Sequence, residues 1–253
     1  MLSAVVITKN EEQMIGDCLL SLKFCNEIIV VDTGNTDATD TIAKKHQAQI
    51  IKSVGRDYSQ FRNDGLSVVR GDWVLYVDAD ERVTPLLKKE IVQTIYSPEV
   101  KSAYAISRQN IYLGKEMHFG GWGNDYVVRL FQKKNLDRWK NPLHEEPVFK
   151  GELGKLENLL THLSHRDLSS MVDKTLSFTD FEANLRYQAH HPLVVGWRLV
   201  RVMVTEFWLR FAKLSAWRDG VEGVVDGLFQ VFNSFVIYSR LWELQQHAKS
   251  SNS

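Results

Sequence analysis

The stretch Trp73-Val74-Leu75-Tyr76-Val77-Asp78-Ala79-Asp80-Glu81-Arg82 indicates both a strand and the point where that strand ends. A short run of apolar, β-branched and aromatic residues is typical of a buried strand. Because carboxylates are costly inside such a strand, we expect Asp78 and Asp80 at its carboxyl end. Ligands bind at this edge of open α/β sheets, and two acids around a small residue could hold a divalent cation and its phosphate. The alternative is an ordinary polar turn.

Strands alternate with helices through the first hundred residues, which predicts a mostly parallel sheet with right-handed crossovers. We expect Thr36 or Asp37 to cap the second helix and Pro85 to open the fourth. The predicted strands cover residues 4–8, 27–32, 48–54 and 72–77, and the predicted helices cover 11–23, 36–46, 61–70 and 85–96.

The chain changes character after residue 101. Short predicted strands (103–108, 126–131 and 147–149) alternate with loops rich in Gly, Trp and His. This pattern is typical of an antiparallel half that binds a second substrate. From about residue 169 the pattern is helical, and the Ser/Lys-rich residues 249–253 are expected to be disordered. The predicted fold class is therefore α/β, with a loop-rich antiparallel half and a C-terminal helical extension.

Composition excludes some classes of protein. The chain has 253 residues, 44% of them hydrophobic, and its 31 Lys and Arg residues equal its 31 Asp and Glu residues. Because the net charge is zero, no nucleic-acid partner is expected. The spacing of Cys18 and Cys25 indicates neither a metal site nor a disulfide, which favours buried thiols in a reducing cytosol. The first residues read as a strand without a basic n-region, which predicts a cytoplasmic location.

Three polar segments end predicted strands one, two and four, and a further segment lies before strand four. The order and spacing of these four segments resemble those of the inverting family 2 glycosyltransferases. That family has the GT-A (Rossmann-like) fold, and the resemblance covers residues 3–165. The four segments are Val5-Val6-Ile7-Thr8-Lys9-Asn10-Glu11-Glu12, Val30-Val31-Asp32-Thr33-Gly34-Asn35-Thr36-Asp37-Ala38-Thr39, Phe61-Arg62-Asn63-Asp64-Gly65 and Asp78-Ala79-Asp80.

Further motifs are most similar to the lipopolysaccharide-core β-glucosyltransferase-like branch of that family. They are Asp-Ala-Asp-Glu-Arg, Gly121-Trp122-Gly123, Val128-Arg129-Leu130-Phe131 and His144-Glu145. The resemblance implies metal-dependent, inverting transfer of a hexose from a nucleotide sugar, such as UDP-glucose, to a cell-envelope glycolipid or polysaccharide. It also implies a catalytic domain over 1–168, with a donor half (1–100) and an acceptor half (101–168), followed by an extension over 169–248. Asn63-Asp64-Gly65 departs from the pattern of relatives, which often carry a small or apolar residue after the asparagine.

The resemblance assigns the donor and metal sites residue by residue. A Mg²⁺ or Mn²⁺ ion would be held by Asp80, with Asp78 touching the ribose or a metal-bound water and serving as a second candidate ligand. Either His162 or His165 would complete the metal shell or meet the diphosphate; the alternative is ordinary polar packing. The remaining donor-binding candidates are Asp32 for the uracil, Thr8, Asn10 and Glu11 for the nucleoside, and Arg62 for phosphate, unless Arg62 is an exposed helix arginine.

An inverting displacement needs a general base that deprotonates the acceptor hydroxyl. The family pattern points to Glu145, with Asp125 as the alternative, and a salt-bridged structural carboxylate is the competing interpretation of either. Trp122 and His144 are candidates for acceptor binding. The competing interpretation of Trp122 is a tryptophan beside glycines that packs its loop into the core.

The C-terminal extension contains two apolar segments. In residues 193–217 five charges fall within about half of a helical wheel, which indicates a basic amphipathic helix in a membrane interface. Residues 221–242 are aromatic, weakly charged and expected to be broken by Gly223, Gly227 and Asn233. They could form a partner helix, a shallow insertion or a homodimer face. The protein is therefore expected peripherally on the cytoplasmic face of the inner membrane, unless both helices pack on the catalytic domain.

Two other functions fit the sequence less well than glycosyl transfer. A nucleotidyltransferase would have a basic, Gly-rich loop after its first strand, but here Thr8-Lys9-Asn10-Glu11 contains no glycine. A non-catalytic sugar-nucleotide-binding or assembly module is disfavoured because Asp78, Asp80 and a candidate base are all present.

Overall fold

The computed structural model describes residues 1–55, 57–142, 144–165 and 167–250. They form two compact units. The first contains Met1–Gln109 and Asn124–His162, and the second contains Asn110–Gly123 and the described residues from Leu163 onward. The catalytic and helical domain bounds expected from the sequence stay a prediction.

Twelve strands and seven α-helices make up the described chain. The strands are β1 (Leu2–Thr8), β2 (Glu27–Asp32), β3 (Gln49–Lys52), β4 (Trp73–Tyr76), β5 (Glu81–Val83), β6 (Ala103–Tyr112), β7 (Lys115–Glu116), β8 (Tyr126–Gln132), β9 (Leu136–Lys140), β10 (Glu146–Phe149), β11 (Leu153–Lys155) and β12 (Leu160–His165). The helices are α1 (Ile15–Ser21), α2 (Thr39–Lys45), α3 (Tyr58–Val68), α4 (Pro85–Ile95), α5 (Leu168–Gln188), α6 (Gly196–Phe207) and α7 (Gly220–Ser250).

The main sheet has the strand order β3-β2-β1-β4-β8-β6-β12-β5. The first four strands are parallel, whereas β8 is antiparallel to both β4 and β6. Thr8 lies opposite Asp32, so the carboxyl ends of β1 and β2 meet at one edge. The predicted α/β fold, with a parallel half and an antiparallel half, is confirmed.

The central residues of β1, β2 and β4 are buried on both faces of the sheet, which explains why they are apolar without alternation. Alternate residues of β1 enter different core clusters: Ala4 and Val6 pack with α1 residues such as Leu19, while Val5 packs with Val31 and Tyr76. Two free cysteines belong to this unit, Cys18 buried and Cys25 partly buried, as the sequence predicted.

Two predictions about helix starts were wrong. Helix α2 begins at Thr39 with Ala38 as its N-cap, and no side chain caps it. Asp37 instead accepts hydrogen bonds from the N–H of Thr39 (3.0 Å) and of Glu12 (3.1 Å), so it fastens the preceding turn to the loop after β1. Helix α1 starts only at Ile15, because the backbone of that same loop forms turns up to residue 14.

Helix α7 runs without a break, so the prediction that glycines interrupt it was wrong. A Cβ on Gly223 would lie 2.0 Å from the carbonyl oxygen of Ala216, and one on Gly227 would lie 2.8 Å from the Phe211 ring. These glycines therefore allow the segment before α7 to pack directly on the helix. Of the predicted disordered tail, residues 249 and 250 belong to α7, and residues 251–253 lie outside the described residues.

Gly65 is a test of the packing of α3 on the sheet. A Cβ at this position would lie 2.5 Å from Cγ1 of the buried Val5. We expect Gly65→Ala to lower the free energy of unfolding by about 1–3 kcal/mol through overpacking. The matched control is Gly16→Ala in α1, where the nearest atom would be 3.6 Å away, and it should stabilise by about 0.5–1 kcal/mol. Chemical denaturation measures both; equal effects would contradict the close contact.

Candidate functional site

Two acids follow β4, as the sequence predicted, and a tight turn fixes their positions. The N–H of Glu81 donates to the carbonyl of Asp78 (2.9 Å), and the N–H of Asp78 donates to the Glu81 carboxylate (2.9 Å). After this turn β5 pairs with β12, which sets Glu81 opposite His162. His162 thereby comes beside Asp80, with 3.8 Å between Nε2 and Oδ2.

Asp78 is held between two buried arginines. Nη2 of Arg129 contacts its Oδ2, and Nη2 of Arg62 contacts its Oδ1 at 3.2 Å. Leu75 of β4 lies opposite Leu130 of β8, so the next step of the antiparallel ladder brings Arg129 to the end of β4. Both carboxylate oxygens of Asp78 are therefore paired with guanidinium groups.

Arg62 lies inside the first unit with 3% of its surface exposed, so the alternative of an exposed helix arginine was wrong. Its guanidinium lies 4.9 Å from the ring centroid of Trp139 and 5.6 Å from that of Tyr76. Nε and Nη2 contact Oε1 of Glu145 at 2.8 and 2.7 Å. Arg62 thus joins the strand-end acid Asp78 to the candidate base. Its buried Nη1 has no hydrogen-bond partner within the described chain.

The ion pairs continue from Asp78 to the alternative base. Oε1 of Glu81 lies 3.3 Å from Nη2 of Arg129 and 3.5 Å from Nη1 of Arg108. Nε of Arg108 donates in turn to Oδ2 of Asp125 at 2.8 Å. We call this set the charge network: Glu145, Arg62, Asp78, Arg129, Glu81, Arg108 and Asp125.

The charge network is buried enough to shift the pKa of its central acids. Burial opposes the ionisation of Asp78, but Arg129 and Arg62 together outweigh it and hold the pKa of that carboxyl well below its usual range. Burial dominates at Glu81 and raises its pKa, with Asp78 adding to the rise and Arg129 opposing it. Four carboxylates face three guanidinium groups, and Asp80 adds one more acid beside them. This excess of negative charge suits a cation.

Asp80 and His162 are the side chains here that could hold a divalent ion. Their oxygen and nitrogen are types that Mg²⁺ or Mn²⁺ accept, and such ions commonly take few protein ligands plus substrate phosphates. No group of three or more His, Cys, Asp or Glu side chains in the described part of the chain could enclose a metal. The residues therefore fit an ion whose remaining ligands come from a substrate.

The two candidate histidines occupy different places on β12. Because side chains alternate across a strand, residues three apart point to opposite faces. His162 reaches Asp80, whereas the ring of His165 lies 5.7 Å from that of Tyr112 in the second unit. This placement favours His162 as the metal candidate.

The predicted nucleoside-binding residues meet where β1 and β2 end. Oδ1 of Asp32 accepts the N–H groups of Gly34 (2.8 Å) and Asn35 (2.6 Å), which closes the turn after β2. The Asn35 amide donates to Oγ1 of the buried Thr8 at 3.0 Å. Asn10 and Glu11 join the same loops: Oδ1 of Asn10 accepts the N–H of Thr36, and the N–H of Glu11 donates to Oγ1 of Thr39.

The two acceptor-binding candidates lie in different units. Trp122 belongs to the second, where its indole N–H donates to Asp226 at 2.8 Å and its ring packs at 6.0 Å from that of Tyr112. These contacts anchor the glycine-rich loop that carries Trp122 within the second unit. His144 belongs to the first unit and is exposed, with a φ of 54°.

Three members of the charge network had no predicted role: Arg129, Arg108 and Glu81. Arg129 stands between Val128 and Leu130 inside a predicted strand, where a charge must be paired if it is buried. Its position in a strand therefore indicated that Arg129 has an acidic partner. The sequence did not identify Asp78 as that partner, because the two residues are 51 positions apart.

Sequence comparison decides what kind of protein carries this site. A family model described as glycosyl transferase family 2 matches residues 3–150, more than half of the chain. The chain belongs to glycosyl transferase family 2. This membership, with the strand order already described, confirms the GT-A fold and the glycosyltransferase activity that the motifs implied.

Relatives of this glycosyltransferase match along nearly its whole length. An uncharacterized glycosyltransferase of Rickettsia prowazekii (strain Madrid E) is 28% identical over 99% of this chain and 89% of its own. The lipopolysaccharide core biosynthesis glycosyltransferase LpsC of Rhizobium meliloti (strain 1021) is 22% identical over 98% of this chain and 93% of its own. The second match agrees with the branch that the motifs indicated.

One solved structure resembles part of this chain. It is a glucosyl-3-phosphoglycerate synthase from Mycobacterium tuberculosis, in complex with Mn²⁺, UDP-glucose and phosphoglyceric acid. The likeness covers 53% of this chain and 57% of that one, at 18% identity and a TM-score of 0.40. A likeness of this degree does not bear on the site.

Removing one arginine tests the charge network. We expect Arg129→Met to lower the free energy of unfolding by about 3–5 kcal/mol, because it leaves buried Asp78 and Glu81 without their shared partner. The control is Arg138→Met, which removes a solvent-exposed pair with Asp137 and should change stability by less than about 0.5 kcal/mol. Urea denaturation measures both, and equal losses would contradict the network.

Proposed function

We propose that this glycosyltransferase moves a hexose from a UDP-sugar, such as UDP-glucose, to a cell-envelope glycolipid or polysaccharide, with inversion at the anomeric carbon. The observation that carries the proposal is the position of Arg62 between Asp78 and Glu145. It brings a carboxylate from the loop-rich half to the strand end where an activated donor would lie. A base close to the donor is what direct displacement requires.

The nucleoside would bind where β1 and β2 end. Asp32 uses Oδ1 to hold its own turn, so Oδ2 is the oxygen proposed to accept a hydrogen bond from the uracil ring. Thr8, Asn10 and Glu11 shape the wall beside it. Arg62 is proposed to favour the diphosphate through its charge, since its unpartnered Nη1 is the one guanidinium nitrogen that the two carboxylates do not take.

Asp80 and His162 are the proposed holders of Mg²⁺ or Mn²⁺. When bound, such an ion would neutralise the charge that grows on the departing diphosphate. Asp78 contributes differently in this arrangement. Because both of its oxygens face arginines, it orients Arg62 and Arg129, and the ribose contact expected of it would add to that role.

Glu145 is the proposed general base. Arg62 holds one of its oxygens, Oε1, and Oε2 is then the atom that would take the proton from the acceptor hydroxyl. Asp125 is bound to Arg108 by its side chain and also by its backbone carbonyl, which accepts the Arg108 N–H at 2.8 Å. Double attachment to one neighbouring strand residue fits a structural carboxylate, so Asp125 remains the second candidate.

The acceptor is proposed to be a glycolipid of the cell envelope. The support is the relative LpsC, whose name places it in lipopolysaccharide core biosynthesis. An acceptor of this kind would require the protein to work peripherally at the cytoplasmic face of the inner membrane. His144 is the proposed acceptor contact, and Trp122 would act by holding the shape of its loop. The homodimer stays a prediction that light scattering measures.

A non-catalytic sugar-nucleotide-binding module is the competing function. It would bind a donor without needing a base, so the Glu145→Gln variant separates the two. We expect Glu145→Gln to keep donor affinity and to lose about 10²- to 10⁴-fold in turnover, because the amide cannot accept the proton. Calorimetry with a UDP-sugar and a transfer assay measure the two effects.

The control for the base is Glu146→Gln, at the adjacent position, where an exposed carboxylate pairs with Lys140 at 3.2 Å. Its turnover should stay within about twofold of the starting enzyme. If Glu145→Gln retains turnover and Asp125→Asn loses it, the base is Asp125. If both retain it, the proposed mechanism is wrong.

The metal site makes a separate prediction. Asp80→Asn and His162→Ala should each raise the Mn²⁺ concentration that gives half-maximal turnover by more than the roughly 10- to 100-fold typical of outer-shell changes. Asp137→Asn, which changes an exposed acid, is the control. Manganese titrations of donor hydrolysis measure the effect. Full turnover in EDTA would contradict metal dependence.

A further inference from the structure

Helix α6 of the second unit presents large apolar side chains to solvent. Trp197, Val200, Val204 and Trp208 are between 60% and 70% exposed. Their spacing of three, four and four residues places them along one side of the helix and its continuation. We call these four residues the aromatic stripe. Apolar surface concentrated in this way marks an interaction site more often than a free surface.

Exposed apolar side chains also flank the stripe along the chain. Leu193 precedes α6 with 54% of its surface exposed, and Phe207 lies next to Trp208 with 49% exposed. Further along, Trp217 and Val221 are exposed as well. The second unit thus carries many large aromatic and branched residues that its own core does not cover.

The charges within the segment that carries the stripe, residues 193–217, are almost all positive. The guanidinium carbons of Arg198 and Arg201 lie 5.7 and 5.3 Å from the ring centroid of Trp197. Lys213 is exposed at the end of the same segment. The single acid between residues 193 and 217, Glu206, is bonded to Arg210 at 2.7 Å. Aromatic rings beside cations that form no ion pair within the described residues suit a partner that is apolar inside and anionic at its surface.

We infer that the aromatic stripe binds the surface of a bilayer that contains anionic lipids, with α6 lying in the headgroup region. The charge pattern favours this partner over a second copy of the chain. In a two-fold contact the same patch meets itself, so Arg198, Arg201 and Lys213 of each copy would approach those of the other. Anionic headgroups neutralise these cations, and the Trp and Val side chains enter the acyl boundary.

The inferred attachment lies in the interface and does not cross it. Within the described residues one helical stretch, Ala216–Ala248, is long and apolar enough to span a membrane. It comprises the short helical turn Ala216–Asp219 and most of α7. Its mean hydropathy is 1.2, and 22% of its most apolar window is buried. Its first turns, however, hold the folded unit together. Asp219 accepts the N–H groups of His118 (3.0 Å) and Phe119 (2.7 Å), and Asp226 accepts the Trp122 indole N–H.

Moving this helix into hydrocarbon would break those bonds and leave buried acids without partners. Burial raises the pKa of Asp226, with the Trp122 and Gln230 hydrogen bonds opposing the rise. Helix α7 also packs against α5 and α6. It therefore stays with the folded unit, and α6 supplies the surface that meets the lipid.

This inference supplies the surface for the membrane location proposed above, but its test uses neither donor nor acceptor. The full chain is mixed with vesicles of phosphatidylcholine alone or of phosphatidylcholine with phosphatidylglycerol, and the bound fraction is measured by co-sedimentation. We expect binding to the anionic vesicles, weakening as salt is added, and little binding to phosphatidylcholine. Because transfer is not measured, failure here and failure of the proposed function are distinguishable.

Two pairs of variants test the residues. Trp197→Ser with Trp208→Ser should lower the partition coefficient onto anionic vesicles by at least about tenfold through lost apolar burial. Arg201→Gln with Lys213→Gln should lower it by about fivefold for each charge removed. The matched control is Leu86→Ser with Tyr96→Ser, which changes apolar residues of the first unit that are 66% and 77% exposed. Circular dichroism and the midpoint of thermal unfolding verify that every variant is folded.

Three outcomes would overturn the inference. The first is a chain that stays in the supernatant with both kinds of vesicle. The second is equal loss of binding in the stripe variant and in the control variant. The third is a dimer by light scattering in the absence of lipid that the stripe variant converts to a monomer, because the stripe would then be covered by a second copy.

Discussion

The carboxylate of Asp78 between the guanidinium groups of Arg62 and Arg129 is the interaction on which the first unit depends. Three elements meet there, since β4 ends at Asp78, α3 carries Arg62 and β8 carries Arg129. A buried charge costs several kcal/mol unless it is paired, so none of the three can shift without exposing the others to that cost. The same two arginines also contact Glu145 and Glu81, which joins these two carboxylates to the Asp78 contact.

The two acids after β4, Asp78 and Asp80, therefore make different kinds of contact. Asp78 is neutralised by arginines and organises its surroundings, whereas Asp80 lies beside an imidazole on the neighbouring β12 strand. The short turn from residue 78 to 81, closed by the hydrogen bond from the Glu81 N–H to the Asp78 carbonyl, separates them. A pattern of two acids that looks symmetric in the sequence is thus divided into an anchor and a candidate metal ligand.

The second unit uses buried acids for another purpose. Asp219 and Asp226 hold the backbone and the indole of the glycine-rich loop that contains Trp122. Gly223 and Gly227 allow the segment before α7 to approach the same helix closely. The outer surface of the second unit is apolar along α6, where the aromatic stripe is exposed to solvent. The internal polar bonds fix the loop of Trp122. The uncovered apolar face, with its cations, suits the anionic partner inferred above.

The sequence by itself determined the strand–helix alternation, the acids at the end of β4 and the family motifs, because apolar periodicity and turn residues are local signals. Only the tertiary structure decided which charges meet. Arg129 reaches Asp78, and His162 reaches Asp80, through antiparallel pairings between strands far apart in the chain. It also made α7 continuous, since glycines that weaken an isolated helix permit close packing here. Such choices depend on register and contact distance, which no local pattern records.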